Sequence, residues 1–464
     1  MPLAQRRTAY LGLAIATAMS VLDGSIANTA LPTIARDLGA SPVEAIWVVN
    51  GFQLAVTASL FAFAALGQTR GAARVYRYGV VAFIAGSLAC ALARSMPVLI
   101  AARAAQGVGA SAIMAVAPAI LREVFPRAQL GRALGINAVV IATSAAAGPT
   151  IGGLFLAIAP WPWIFAINVP LGFASIALSR SLPRDIRGEG RFDVASVVAS
   201  ALGFSLLIWG IDGFARGDAA ATIAARLVAG AAAAWFFIRR QFALPEPMIA
   251  LELFRIRVFA AASWTSIASF VAQGLAYVGL PFYFQTVLGK TPLESGLLLT
   301  SWPVAVALIA PTSGRLSDRI PAGVLSTIGL AIFTTGLALY ALMPPDASTL
   351  SFVAHGAICG FGYGFFQSPN NRELISSAPR AKSASAAAIL AAARLSGQTL
   401  GAALVAMVFA AFGAKPVGAT GVAHDIVARA TPAALWIACG CAGFAMLASA
   451  TRLIGSRSAL EESA

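Results

Sequence analysis

An aspartate and an arginine stand inside long apolar stretches of this sequence. Asp23 belongs to the string Leu22-Asp-Gly-Ser-Ile-Ala-Asn-Thr-Ala-Leu-Pro32. It comes about 14 residues after the apolar run begins, which at about 1.5 Å per helical residue is near the middle of a membrane. Arg103 falls in a second apolar run, followed by Gln106 and Gly107. Charged groups at such depths are costly and commonly mark ion or proton pathways.

Proton binding is the chemistry that this pair could perform. Burial in hydrocarbon favours the neutral carboxyl group, a neighbouring cation favours the carboxylate, and arginine does not lose its proton. If Asp23 lies beside Arg103, its carboxyl group is poised between the two forms, and we expect both residues to take part in proton coupling. The alternatives are structural: an aspartate hydrogen-bonded permanently to a neighbouring helix, and an arginine that bonds backbone carbonyls.

Fourteen apolar stretches must position these side chains. The 464 residues are 59% hydrophobic and 11% charged, against about 25% charged in ordinary soluble domains. Each stretch is long enough to cross about 30 Å of hydrocarbon as a helix. The predicted spans are 9–31, 46–66, 75–93, 97–121, 133–158, 163–179, 194–214, 221–238, 259–287, 295–313, 323–343, 349–371, 384–412 and 430–451.

The distribution of basic residues predicts the orientation of these spans. Of the 32 lysines and arginines, 23 fall in the termini and in the turns after even-numbered spans, and seven fall in the other turns. Because basic loops stay in the cytoplasm during insertion, both termini are predicted to be cytoplasmic, in a bacterial inner membrane.

The chain divides into two halves around a central pair of spans. We expect a six-helix bundle over 1–192, two additional helices over 193–240, a cytoplasmic linker over 241–258 and a second six-helix bundle over 259–464. The turn after span two, which contains Gly71 and Arg74, is similar to the turn after span ten, which contains Gly314, Asp318 and Arg319. Duplicated halves around a cavity at the membrane midplane are typical of secondary carriers.

Span five contains a string of small residues. Ser144, Gly148 and Gly152 are spaced by four, so they share a smooth face on which another helix can approach closely. Pro149 lacks an amide proton and interrupts the helical hydrogen bonds, and Gly153 follows. We expect this string to form a helix interface.

Other polar residues within the spans either hydrogen-bond helices together or line a cavity. His355 is interpreted as a packing residue, and Asp212, near a span end, is predicted to be solvated. The candidate cavity-lining residues are Asn28, Asn50, Gln53, Gln285, Trp302, Gln367, Asn370, Asn371, Arg394 and Gln398.

Several function classes are excluded by composition and motifs. The net charge of +14 is scattered over many turns and not clustered on one face or tail, so nucleic-acid binding is not expected. The sequence contains no GxxxxGK[ST] phosphate loop, which disfavours ATP-driven transport and enzymatic function of that kind. The four cysteines lack the spacing and the nearby histidines of a metal site.

These motifs together resemble the major facilitator superfamily, and within it the fourteen-span drug–proton antiporters. The resemblance rests on the strings 22–32, 103–109, 148–153 and 161–170, and it extends over nearly the whole chain. It implies an all-α membrane protein of the major facilitator fold that works by rocking of two bundles. It also implies that Asp23 and Arg103 take part in proton coupling and that the span-five string shapes an interface associated with export.

One departure concerns the turn between spans two and three. Where the family has an aspartate that is thought to latch the two halves, this chain has Gln68, which can hydrogen-bond but carries no charge. The second copy of the turn keeps Asp318 and Arg319.

We therefore expect a secondary carrier that exports small amphipathic or lipophilic compounds in exchange for protons, as in multidrug efflux. Its partners are protons, the small-molecule substrate and the lipid bilayer. It is expected to act as a monomer, without a cofactor or a metal. The alternatives are a proton-coupled exporter of one endogenous metabolite and, because of Gln68, a transport-inactive membrane sensor.

Overall fold

The protein is a membrane-spanning bundle of helices. A computed structural model describes residues 3–182, 193–244, 247–379, 382–414 and 422–461, and every regular element in these ranges is helical. Thirteen described helices are long and apolar enough to cross a membrane. The remaining predicted span, Ala72–Ala91, carries two arginines near its start and packs on the helix that follows it. The predicted all-helical fold is confirmed.

We number the spans in chain order. They are Leu3–Asp37, Pro42–Arg70, Ala72–Ala91, Met96–Val124, Arg127–Ile158, Trp163–Ala166 with Asn168–Leu178 (together span six), Val194–Arg216, Ala220–Ala243, Arg257–Phe282, Pro292–Leu316, Ala322–Ala341, Thr349–Ser376, Ser383–Ala411 and Val422–Glu461. Span six is broken at Ile167 because Pro170 has no amide proton to donate to the carbonyl of Ala166.

The second span of each half begins in the same way. Ser41 accepts a hydrogen bond from the backbone of Glu44 at 3.1 Å, and the Glu44 carboxylate accepts one from the backbone of Ser41 at 2.8 Å. Thr291 and Glu294 make the same reciprocal pair at the start of span ten. Each capping box is followed by a proline in the first turn, where a missing amide proton costs nothing. These paired signatures agree with the internal repeat.

Close helix packing is also repeated in the two halves. A Cβ placed on Gly109 in span four would lie 2.4 Å from the backbone nitrogen of Phe83 in span three. A Cβ on Gly362 in span twelve would lie 2.4 Å from the backbone nitrogen of Phe333 in span eleven. Glycine at these positions allows the backbones to approach within a distance that no other residue permits.

One set of contacts between the two halves lies away from the arginine-rich face, which we define as the end of the spans that carries Arg70, Arg122, Arg240, Arg315 and Arg372. On the opposite side, Gln285 donates to the carbonyl of Thr29 at 2.8 Å. Gln285 lies on the π-helical turn Tyr283–Val287 that ends span nine.

The packing of span five on span ten shows where the contact between the two halves ends. A Cβ on Gly296 in span ten would lie 2.2 Å from the carbonyl of Pro149, and one on Gly153 would lie 2.7 Å from the carbonyl of Pro292. Gly131 precedes Pro149, and Gly135 precedes Gly153, by about five turns of about 3.6 residues, so the two glycines lie on the same face of span five. A Cβ on either has no described atom within 4 Å. The two helices therefore touch at one end and separate toward the arginine-rich face.

The two central spans form a hairpin that is closed by an ion pair. Asp193 caps span seven by accepting from the backbone N–H of Ser196 at 3.4 Å, and it accepts from Nε of Arg240 near the end of span eight at 2.9 Å. The hydrogen-bonded guanidinium of Arg240 lowers the pKa of the Asp193 carboxyl to about 2. The pair therefore stays ionised throughout the physiological pH range.

The hairpin is attached to the rest of the protein through span seven, which packs on spans two and thirteen. Asp212 is 0% exposed and accepts hydrogen bonds from the indole of Trp47 in span two and from Arg216, both at 2.5 Å. The prediction that Asp212 is solvated was wrong. Packing of span seven on span two, which the sequence does not reveal, removes this carboxylate from water.

We expect Gly109→Ala to destabilise the protein, because its new methyl group would collide with the backbone of span three at 2.4 Å. Overpacking of this kind costs about 1–3 kcal/mol. The matched control is Gly440→Ala in span fourteen, where a Cβ meets no described atom within 4 Å. Thermal unfolding in detergent should show a lower midpoint for Gly109→Ala and no loss for Gly440→Ala. Equal midpoints would contradict the close packing of spans three and four.

Candidate functional site

Asp23 and Arg103 form an ion pair inside the first half. Nη1 of Arg103 donates to Oδ2 of Asp23, and the side chains of both residues are 0% exposed. Oδ1 of Asp23 accepts two further bonds, from the amide of Gln106 at 2.9 Å and from the amide of Asn168 at 2.7 Å. Spans one, four and six thus each contribute to one cluster, which we call the Asp23 cluster.

Further contacts hold the guanidinium of Arg103 in place. Its Nε donates to the carbonyl of Val48 in span two at 2.9 Å, and its Nη1 also donates to Gln106 at 2.6 Å. The cation lies over the ring of Phe52, 4.3 Å from the centroid, and 5.3 Å from the ring centroid of Phe165. Desolvated charges are tolerated only when they are paired and hydrogen-bonded in this way. The cation therefore connects span two to the Asp23 cluster.

The members of the cluster differ in how well they could be predicted from the sequence. Arg103 and Gln106 are three residues apart and therefore share one helix face. Asn168 was not identified as a site residue, although it lies in the string 161–170, where a lone amide among apolar residues is the available signal. Gln106 also donates to Ser87 in span three at 2.8 Å, which extends the network to a fifth helix of the first half.

The string in span five packs next to the Asp23 cluster. A Cβ on Gly148 would lie 2.3 Å from the hydroxyl oxygen of Ser25, two residues after Asp23. Ser25 donates to the carbonyl of Ala145 at 3.0 Å. Pro149 explains this bond, because it has no amide proton to satisfy the carbonyl four residues earlier. Gly152 packs on Ile26, while Pro149 and Gly153 contact span ten. One string therefore touches both halves.

The two repeated turns differ in charge. Gly71 adopts a φ of 101°, which favours glycine, and it links spans two and three. Asp318 forms an ion pair with Arg372 at the end of span twelve, whereas the corresponding Gln68 is an exposed neutral side chain. Arg74 and Arg319 are exposed, and Gly314 lies near Ser368. The charged contact at this turn is present in the second half, and Gln68 cannot provide it in the first.

The candidate cavity-lining residues fall into distinct environments. Gln53 accepts from Thr399 at 3.4 Å and Gln285 donates to Thr29, so both bridge the two halves. Asn370 is fully buried and donates to Ser266 at 2.8 Å, which ties span twelve to span nine. The polar side-chain atoms of Asn50 and Trp302 are buried without a partner among the described residues. The half-buried members are Asn28, Gln367, Asn371, Arg394 and Gln398.

Water does not reach the Asp23 carboxylate in this arrangement, since the residue is 3% exposed. A proton can therefore reach the carboxyl group only when the surrounding helices move or admit water. The described residues contain no group of three or more histidines, cysteines, aspartates and glutamates that could hold a metal ion.

Comparisons with known proteins agree with this architecture. The family model described as Major Facilitator Superfamily matches residues 13–402. The chain is 47% identical to "Uncharacterized transporter YebQ" of Escherichia coli, over 89% of this chain and 91% of the relative. It is 32% identical to "Riboflavin transporter RibZ" of Clostridioides difficile, over 86% and 87% of the two chains. It is also 32% identical to "Multidrug resistance protein Stp" of Mycobacterium tuberculosis, over 85% and 74%.

A solved structure supports the fold. A bacterial homologue of the human lysosomal transporter Spinster, in an inward-facing and unoccupied conformation, superimposes with a TM-score of 0.71 at 15% identity, covering 98% of each chain. The match of the family model to most of the sequence confirms the resemblance that the motifs indicated. This chain belongs to the major facilitator superfamily of membrane transporters.

Proposed function

We propose that this transporter exports small amphipathic or lipophilic compounds in exchange for protons, and that it acts in multidrug efflux. The observation that carries the proposal is the buried Asp23–Arg103 pair, which spans one, two, four and six surround. Relatives named as multidrug resistance proteins support the substrate class. The basic residues favour a bacterial inner-membrane orientation with both termini in the cytoplasm.

Protonation of Asp23 is the proposed switch. A neutral carboxyl group no longer compensates Arg103, and a buried cation without its partner is destabilised by about 3–5 kcal/mol. The protonated protein therefore favours an arrangement in which Arg103 gains water or another acceptor. Ser25 transmits the change, because it lies two residues from Asp23, packs on Gly148 and donates to Ala145 of span five. Span five in turn contacts span ten in the second half.

The contacts between the halves fit one conformation of the transport cycle. With the arginine-rich face in the cytoplasm, the contacts of span five with span ten close the outer side. The separation at Gly131 and Gly135 then opens the inner side. We infer that this conformation is inward-facing and accepts substrate from the cytoplasm.

Proton entry can drive such export without a cofactor. One charge moving down a potential of 100 mV releases about 2.3 kcal/mol.

Export of a single endogenous metabolite is the second candidate function, and the similarity to a relative named as a riboflavin transporter favours it. A resistance screen with dyes, detergents and antibiotics separates the two, because a dedicated exporter gives no broad protection. Saturable flux of any compound in proteoliposomes would exclude a transport-inactive sensor.

One prediction of the proposed function concerns Asp23→Asn. The amide cannot exchange a proton, so uptake of a transported dye into everted vesicles should no longer respond to an imposed pH gradient. Asp212→Asn is the control, since it removes a second fully buried carboxylate outside the cluster. The control should keep its response to the gradient. A gradient response in Asp23→Asn equal to that of the wild type would refute proton coupling through this residue.

Another prediction of the proposed function concerns Gly153→Val. A side chain here would collide with span ten, 2.7 Å from the carbonyl of Pro292, and would oppose closure on the outer side. Substrate affinity in detergent should stay within about threefold, while the transport rate should fall at least about tenfold, because closure is a step of the cycle. Gly443→Val in span fourteen, where a Cβ has no described neighbour within 4 Å, is the control. Matching rates in the two variants would contradict a gating role for this contact.

A further inference from the structure

Arg394 is a second cation within the membrane, and it has no acid beside it. It lies in span thirteen, Ser383–Ala411, about 16 Å from the start of the helix at about 1.5 Å per residue. Among the described residues, it makes no hydrogen bond or ion pair with a protein side chain. In contrast to Arg103, this cation is therefore not compensated by the protein itself.

The faces of span thirteen show where Arg394 points. Gly397 and Gly401 pack on span nine, where a Cβ would lie 2.7 Å from Phe270 and 2.4 Å from the carbonyl of Val271. Leu395 packs in the apolar cluster of the first half, and Thr399 contacts Gln53 of span two. At about 100° per residue, Arg394 falls between these two faces. Its side chain is half-buried and lies between the face of span thirteen that packs on span nine and the face that packs on span two.

Arg394 and Gln398 are four residues apart and therefore share one face of span thirteen. Gln273 of span nine accepts at Oε1 from Gln398 at 3.1 Å and from the hydroxyl of Tyr363 at 3.2 Å. The amide nitrogen of Gln273 is thereby left to donate to a ligand. The ring of Tyr363 belongs to an aromatic group, with ring centroids 6.2 Å from both Phe270 and Trp302.

Arg394 takes part in none of the ion pairs found among the described residues. Within the spans, Asp23 is held by Arg103, Asp212 by Arg216 and Glu373 by Arg452. The acids Glu44 and Glu294 cap helix starts near the opposite face. A cation at mid-membrane depth is costly when it is left unpaired, and a guanidinium binds carboxylate and phosphate groups with two parallel hydrogen bonds.

We propose that Arg394, with the amides of Gln273 and Gln398, binds the anionic group of an amphipathic substrate. The anionic group is a carboxylate, sulfonate or phosphate. This inference rests on the proposed export function and names its substrate class. Exchange of an outgoing anion for an incoming proton moves charge in the same electrical direction, so an inside-negative potential drives both movements.

The experiment uses two probes that share one skeleton. 8-Anilino-1-naphthalenesulfonate carries a sulfonate, and N-phenyl-1-naphthylamine lacks it. Binding of each probe to the purified full-length protein in detergent is measured by fluorescence. The wild type should bind the sulfonate more tightly than the neutral amine. Arg394→Gln should weaken sulfonate binding by about tenfold or more, as loss of a charged hydrogen bond does, and should leave the neutral amine within about twofold.

Two further variants make the result specific. Arg394→Lys should restore part of the preference, because it keeps the charge without the planar guanidinium. Arg239→Gln removes an exposed arginine at the end of span eight and should bind both probes as the wild type does. Retained binding of the neutral amine shows that Arg394→Gln is folded. Sulfonate binding that is unchanged in Arg394→Gln, or a wild type without preference for the sulfonate, would overturn the proposal.

This outcome is independent of proton coupling, which the vesicle experiment with Asp23→Asn tests. A gradient response retained in Asp23→Asn, together with a sulfonate preference in the wild type, would refute the proposed proton coupling while leaving the anion site standing. Loss of the gradient response in Asp23→Asn, together with a wild type that has no sulfonate preference, would do the reverse.

Discussion

The ion pair between Asp23 and Arg103 is the interaction on which the first half of this transporter depends. Both charges lie in the membrane interior, so each is stabilised by the other and by hydrogen bonds. The structure supplies these bonds from the Gln106 and Asn168 amides and from the Val48 carbonyl. A change in the protonation of one carboxyl group thus alters the balance of forces on four helices at once.

The path from this pair to the second half is short. Pro149 leaves the carbonyl of Ala145 without its helical partner, and Ser25 satisfies that carbonyl from span one. The same turn of span five contacts span ten through Gly153. A motif that looks like a helix breaker in the sequence is therefore a joint between the acid-bearing helix and the opposite bundle.

The two halves share a scaffold but differ in charge. Their capping boxes at Ser41 and Thr291 and their close-packed glycines at Gly109 and Gly362 correspond. In contrast, the first half carries a compensated cation at Arg103, and the second carries Arg394 without an acid. The repeated turn shows the opposite difference, because the second half carries an acid there, Asp318, and the first half carries the neutral Gln68. We interpret this asymmetry as a separation of the two proposed functions, with proton binding in the first half and substrate binding in the second.

Much of the fold could be predicted from local sequence, because span length and hydrophobicity determine whether a helix crosses a membrane. The break at Ile167 also has a local cause in Pro170. Contacts between distant helices were less predictable: Asp23 and Arg103 were identified separately, and their contact depends on how spans one and four pack. Asn168 was missed and Asp212 was misjudged for the same reason, since the burial of each is set by a neighbouring helix.

Proton release on substrate binding is the most direct measurement of the central claim. The purified protein is placed in weakly buffered detergent solution with a pH-sensitive dye, and a transported compound is added. We expect the wild type to release protons in proportion to the amount of bound compound and Asp23→Asn to bind the compound without release. Equal release from both proteins would show that the coupling proton resides elsewhere and would contradict the account.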